Sequence, residues 1–165
     1  MERYIEIHRN KSLRLENVLI NNIVDTLAYS GKNDREANPI SLEIEVEKMI
    51  NEIKVKGANK IGPVIQYSGS LEKGGKLEIN VALMLQADRF INNLQFPYIM
   101  ESCIKVKDCM YTRFKGLEDD LQYAYQKIQV EAYENDIKLK DSCYTIFLDS
   151  DETGNVIVDV FVEKE

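Results

Sequence analysis

Cys109-Met110-Tyr111-Thr112-Arg113-Phe114-Lys115-Gly116-Leu117-Glu118-Asp119-Asp120-Leu121 reads as a strand that runs through a glycine turn into an amphipathic helix, and a cruder copy lies upstream. Setting Gly31 on Gly116, an offset of 85 (116 − 31), brings Leu15-Glu16-Asn17-Val18-Leu19 onto Met100-Glu101-Ser102-Cys103-Ile104. Tyr29 then falls on Phe114 and Asp34 on Asp119. A chain that repeats itself once at about half its length is constrained to a duplicated fold with a seam between its halves. Such seams are natural places for a ligand pocket.

The pattern of elements agrees. Tyr4-Ile5-Glu6-Ile7-His8 alternates briefly, as an edge strand or an ordered arm does. Leu13 to Tyr29 is strand-like but irregular, with a bulge or turn at Asn21-Asn22, and Gly31 to Pro39 carries turn chemistry. Ile40, Leu42, Ile44 and Val46 alternate like a strand, whereas Leu42, Val46, Met49, Ile50 and Ile53 follow helical spacing. The helix accounts for more positions and Gly57 closes it, so a helix is expected. Ile61 to Ser68 and Leu77 to Leu85 form a hairpin across a mobile loop from Gly69 to Lys76.

After a connector at Asp88 to Pro97, Tyr98 to Phe114 is extended, with a break at Lys107-Asp108. Leu117, Leu121, Ala124, Ile128 and Ala132 share a helix face, and Glu118, Asp119 and Asp120 suit its positive N-terminal end. Cys143 to Asp149 and Val156 to Val162 form the last hairpin. The order is βαββ twice, in one domain with halves at about 13–86 and 97–163.

Charge narrows the partners. A net charge of −7 argues against nucleic acid, because phosphate binding needs a basic face. No apolar run is long enough for a transmembrane helix, and Met1-Glu2-Arg3-Tyr4 opens no signal peptide. Cys103, Cys109 and Cys143 are odd in number and sit in apolar surroundings, which suggests reduced core thiols and a cytoplasmic protein.

With Arg113-Phe114-Lys115-Gly116 ahead of the helix at Leu121-Gln122-Tyr123-Ala124-Tyr125, and with the strands Cys143 to Asp149 and Val158 to Val162 after it, the second half resembles the GyrI-like, or bacterial transcription-activator effector-binding, domain family. Arg113-Phe114-Lys115-Gly116 matches the Arg-x-Lys/Arg-Gly element of that family, and Leu121-Gln122-Tyr123-Ala124-Tyr125 its acidic helix. Cys143-Tyr144-Thr145-Ile146-Phe147-Leu148-Asp149 is similar to its third strand and Val158-Asp159-Val160-Phe161-Val162 to its last. The first half matches more loosely, through Ile61-Gly62-Pro63-Val64-Ile65-Gln66-Tyr67 and Ile79-Asn80-Val81-Ala82.

The resemblance implies an α+β, SHS2-type fold: duplicated βαββ halves share an antiparallel sheet, with a cleft between them that takes small molecules, often flat or cationic. The family commonly has a ligand-facing glutamate where this chain has Thr145. A buried carboxylate offsets the desolvation of a bound cation, whereas a threonine offers only a hydroxyl. Asp159 or Glu101 would have to supply the missing charge.

Other constellations have plainer readings. Tyrosines outnumber phenylalanines nine to five, and Tyr67, Tyr111, Tyr123, Tyr125 and Tyr144 flank the cleft elements, where they would stack on a planar ligand or pack the sheet. Asp149-Ser150-Asp151-Glu152-Thr153-Gly154-Asn155-Val156 imitates the start of a calcium loop, but position twelve is Val160 instead of a bidentate glutamate, so a hairpin turn is expected. His8 has no cysteine at a zinc-site spacing. Gly69 to Lys76 sits in a hairpin, not ahead of a helix, so it cradles no phosphate.

The expectation is therefore a stand-alone effector-binding domain with no DNA-binding segment, sensing or sequestering a planar organic ligand. It needs no enzyme activity, no cofactor and no metal. The alternatives are a protein–protein interaction module with a vestigial cleft and, last, a small hydrolase. Tyr67, Tyr111, Thr145, Phe147, Asp159 and Phe161 are the expected cleft residues, since Thr145 and Phe147 share one side of their strand and Asp159 and Phe161 one side of theirs.

Overall fold

A computed structural model describes residues 4–23 and 42–165, without the side chains of 71–73, 77 and 78. Its elements are β1 (Tyr4–Asn22), α1 (Leu42–Val55), β2 (Lys60–Lys73), β3 (Lys76–Ala87), β4 (Tyr98–Leu117), a 3-10 turn (Glu118–Asp120), α2 (Gln122–Glu134), β5 (Leu139–Ser150) and β6 (Asn155–Lys164). Strand, helix, strand, strand occurs twice. The six antiparallel strands close into a barrel in the order β1-β3-β2-β5-β6-β4, with β4 returning to β1. Closure leaves two seams between the halves, β1 against β4 and β2 against β5. None of the described helices is long and apolar enough to cross a membrane.

The duplication is real, and from the helices onward its spacing is 79 and not 85, while the first strands of the halves, Tyr4–Asn22 and Tyr98–Leu117, start 94 apart (98 − 4). Lys60 and Leu139 begin β2 and β5 (139 − 60 = 79), and Lys76 and Asn155 begin β3 and β6 at the same interval. The buried faces of the helices repeat it: Glu45, Met49 and Ile53 of α1 correspond to Ala124, Ile128 and Ala132 of α2. The helix ends do so too. Gly57, at φ 82°, closes α1 with Ala58 N–H donating to the Ile53 carbonyl and Gly57 N–H to that of Lys54. Asp136, at φ 53°, closes α2 in the same way, through Ile137 to Ala132 and Asp136 to Tyr133. Gly31 lies outside the described residues. Gly116 makes no turn: it is extended, pairs with Val156, and β4 runs on to Leu117. The acidic run Glu118–Asp120 forms the 3-10 turn and not the first turn of α2.

Three other expectations change. The N-terminal arm and the first strand are one strand, because β4 gives β1 an unbroken partner from Tyr4 to Asn21 with register shifts only around Lys11. The break at Lys107-Asp108 is a left-handed residue, Asp108 at φ 61°, inside a continuous β4. The loop expected from Gly69 to Lys76 contracts to a two-residue turn. Gly74 and Gly75, at φ 58° and 80°, supply the positive φ that such a hairpin demands at both positions.

Alternation sorts the core into an inside and an outside. Leu15, Val18, Ile65, Met84, Tyr111 and Phe161 help fill the barrel interior. On the outside, α1 lays Met49 and Ile53 on Leu19, Leu83 and Leu85. On the other half, α2 lays Ala124, Ile128 and Ala132 on Phe114, Val158 and Val160. The two alanines let α2 approach its strands closely. Each fully buried large side chain contributes about 1.5–3 kcal/mol.

Candidate functional site

At the β2–β5 seam Gln66 of β2 stands directly across from Thr145 of β5, and these two positions are themselves 79 apart (145 − 66). The local two-fold of the duplication therefore passes between them. Outside this point, between α1 and the 3-10 turn that leads into α2, lies a cleft of about 800 Å³. Its floor is Val64, Gln66, Leu83 and Phe147, and its rim carries Glu43 and Glu47 of α1 and Glu118 of the opposite half. Glu43 and Glu47 are four residues apart on a helix and so project together. Among the described residues, no lysine, arginine or histidine lines the cleft. Its floor is apolar and aromatic with one amide, and the charged side chains that the described residues bring to it are all carboxylates.

The six expected residues do not meet here. Phe147 does line the cleft. Thr145 lies on the same face of β5 but is only 5% exposed, and its hydroxyl shares a 2.7 Å hydrogen bond with the Tyr125 hydroxyl of α2. A carboxylate in its place would be sealed under α2. Tyr67, Tyr111, Asp159 and Phe161 belong to the barrel interior. The register explains why: Thr145 pairs with Val160, while Asp159 pairs with Ile146 and Phe161 with Tyr144. Each within-strand alternation was right. The relative register of β5 and β6 was not available from either strand, and one residue of it moves a side chain to the opposite face.

Those interior groups engage one another. Tyr111 O–H donates to Asp159 Oδ1 at 2.9 Å, while Arg113 Nε and Nη2 donate to Asp159 Oδ1 and Oδ2 at 2.8 and 2.9 Å. Burial, then the bond to Asp159 and its charge, push Tyr111 up to about 12. The Asp159 bond also holds Arg113 above its usual range. Tyr67 packs on Tyr144 with ring centroids 5.0 Å apart, and Tyr111 on Phe161 at 4.9 Å. Asp159 is thus committed to Tyr111 and Arg113, and Glu101 stands across from Val18 on β4, so neither replaces a glutamate at Thr145. Buried Cys109 and Cys143 are each pushed up to about 11, chiefly by desolvation, which keeps them as thiols and poor nucleophiles. His8 is exposed and bonded to Glu6.

The acidic hairpin is organised by its own donors. Asp151 Oδ1 accepts from Thr153 N–H, Thr153 O–H and Asn155 N–H, and Oδ2 from the Asn155 amide. These bonds hold the Asp151 carboxyl below the usual range and define an Asx-type turn.

Sequence reasoning missed Glu43, Glu47, Gln66, Leu83 and Glu118. Glu43 and Glu47 carried a signal in their i,i+4 spacing on an expected helix, but that pattern also describes an ordinary solvated face.

No family profile matches the chain, and no curated protein matches it in sequence. Solved structures do. The EcmrR chain of the EcmrR–DNA complex in EcmrR-RPo superposes over 99% of this chain with a TM-score of 0.53 at 14% identity. This chain spans 57% of that one's length. SAV2435, solved bound to tetraphenylphosphonium, matches over 96% of this chain and 94% of its own, with a TM-score of 0.46 and 11% identity. The chain shares the fold seen within EcmrR.

Proposed function

We propose that this chain is an effector-binding domain that takes a flat aromatic molecule bearing positive charge, without transforming it, in the cleft across the β2–β5 seam. The observation that carries this reading is the cleft itself: about 800 Å³ between α1 and the 3-10 turn of the other half, an apolar floor with Phe147 for stacking, and three rim carboxylates with no lining cation among the described residues. That volume falls within the usual range for small-molecule pockets. Carboxylates at the rim keep their hydration in the free protein, so attraction costs less desolvation there than a buried glutamate would. The ligand's ring would meet Phe147 and Leu83, and the Gln66 amide would fix its orientation by hydrogen bonding. Because α1 and Glu118 come from different halves, a bound ligand would also tie the halves together. That is a physical basis for signalling to a partner.

A fluorescence titration with proflavine, cationic at neutral pH, against acridine, the uncharged ring of similar shape, tests the proposal. Proflavine is expected to bind the more tightly. Phe147→Ala should weaken it about tenfold, as the loss of a stacking contact implies, and Glu43→Gln with Glu47→Gln should narrow its advantage over acridine. Equal binding of both dyes, indifferent to all three substitutions, would sink the reading.

A further inference from the structure

The opposite seam has the opposite charge. Where β1 and β4 pair through the register shifts around Lys11, a second cavity of about 640 Å³ opens. Lys11, Arg14, Lys105, Lys107 and Asp108 are among the residues that line it. Four cations against one anion form a concentrated positive site on a chain whose net charge is −7.

Internal pairing leaves much of that charge uncompensated. Asp108 is held by Lys164 at 3.3 Å and Arg14 by Glu16 at 2.7 Å. Lys11 lies 4.0 Å from the centre of the Tyr111 ring. Among the described residues, Lys11, Lys105 and Lys107 have no carboxylate within ion-pair distance. Arg14 sits directly across from Lys105, and like charges in that relation repel and destabilise a sheet. Val106 is buried while Lys105 and Lys107 are exposed, so strand alternation sends both lysines to one face. Neighbouring charges on that face stand roughly 5–7 Å apart, a spacing that suits two linked anionic groups better than one.

We propose that the β1–β4 seam is a second ligand site, for a small organic polyanion carrying two or more phosphate or carboxylate groups. Arg14 and Lys105 would hold one group and Lys107 the next, on the outer face of the seam. Nucleic acid suits the seam poorly, because the rest of this acidic chain repels a long polyanion, whereas a compact ligand feels chiefly the charges within a Debye length. The site is independent of the cleft at the other seam.

Thermal unfolding with inorganic pyrophosphate, with citrate, and with sodium chloride at matched ionic strength tests this. One of the two anions should raise the melting temperature saturably, by roughly 5 °C at about a hundredfold its dissociation constant. Pyrophosphate acting alone identifies phosphate as the group recognised; citrate acting alone identifies carboxylate. The double variant Lys105→Gln, Lys107→Gln should lose that shift. Relief of like-charge repulsion should leave it at least as stable as the parent without ligand, and its proflavine binding should be unchanged. A shift that survives the double substitution, one that sodium chloride reproduces, or no shift with either anion overturns the proposal.

Discussion

At the scale of single residues, position is set by neighbours that sequence does not name. Tyr111 looks like a ring awaiting a ligand, yet its hydroxyl is spent on Asp159, which also holds Arg113. Desolvation and the Asp159 carboxylate raise Tyr111 to about 12, above the ordinary value near 10. A raised folded value means that the neutral phenol is favoured by folding. Its contribution is therefore complete below about pH 10 and is lost as pH climbs toward 12. Tyr111→Phe is expected to cost about 1 kcal/mol near neutrality, for the lost hydrogen bond. It should also show a shallower loss of stability between pH 10 and 12 than the parent. Urea unfolding across that window checks both. An unchanged slope would mean that other buried groups, such as Tyr144, which is also raised to about 12, dominate the alkaline limb.

At the scale of elements, the two helices show how a duplicated design drifts. Gly57 and Asp136 hold the same left-handed position after α1 and α2. Glycine enters that region freely, whereas an aspartate pays a steric penalty. Asp136→Gly is therefore expected to stabilise the protein by about 0.5–1 kcal/mol, after allowing for the larger entropy of glycine in the unfolded chain. Chemical denaturation would detect the difference, and destabilisation would mean that the Asp136 side chain supports the turn. The helix of the first half was legible because Met49, Ile53 and Gly57 agreed on it. The glycine turn at Gly116 was misread because a glycine before an acidic run looks like a helix entry, whereas β6 pairs with β4 beyond it, as far as Leu117.

At the scale of the whole molecule, six strands contribute to one interior while the helices cover separate outer faces. Phe161 packs inside against residues from both halves. Phe161→Ala should lower stability by about 3–5 kcal/mol and weaken both halves together. Tyrosine fluorescence and far-ultraviolet circular dichroism should then give one coincident transition, as a single cooperative unit requires. Separated transitions would show that each half holds its fold alone. Closure also places the seams apart and gives them different chemistry: carboxylates at the rim of one and lysines with arginine around the other.

The sequence by itself determined the elements and their repetition, because helical spacing, strand alternation and turn glycines act over a few residues and are written locally. It was thus enough to place the helix over Met49 and Ile53, both hairpins, the βαββ order and the side of β5 shared by Thr145 and Phe147. Only the tertiary structure decided which strand faces meet. The register of β5 against β6 put Asp159 and Phe161 inside the barrel and left Phe147 outside. The packing of α2 covered Thr145 with Tyr125, and the approach of α1 to the 3-10 turn of the other half turned Glu43, Glu47 and Glu118 into one rim. Pairing between distant strands is fixed by burial summed over the whole barrel, so no single segment carries that information.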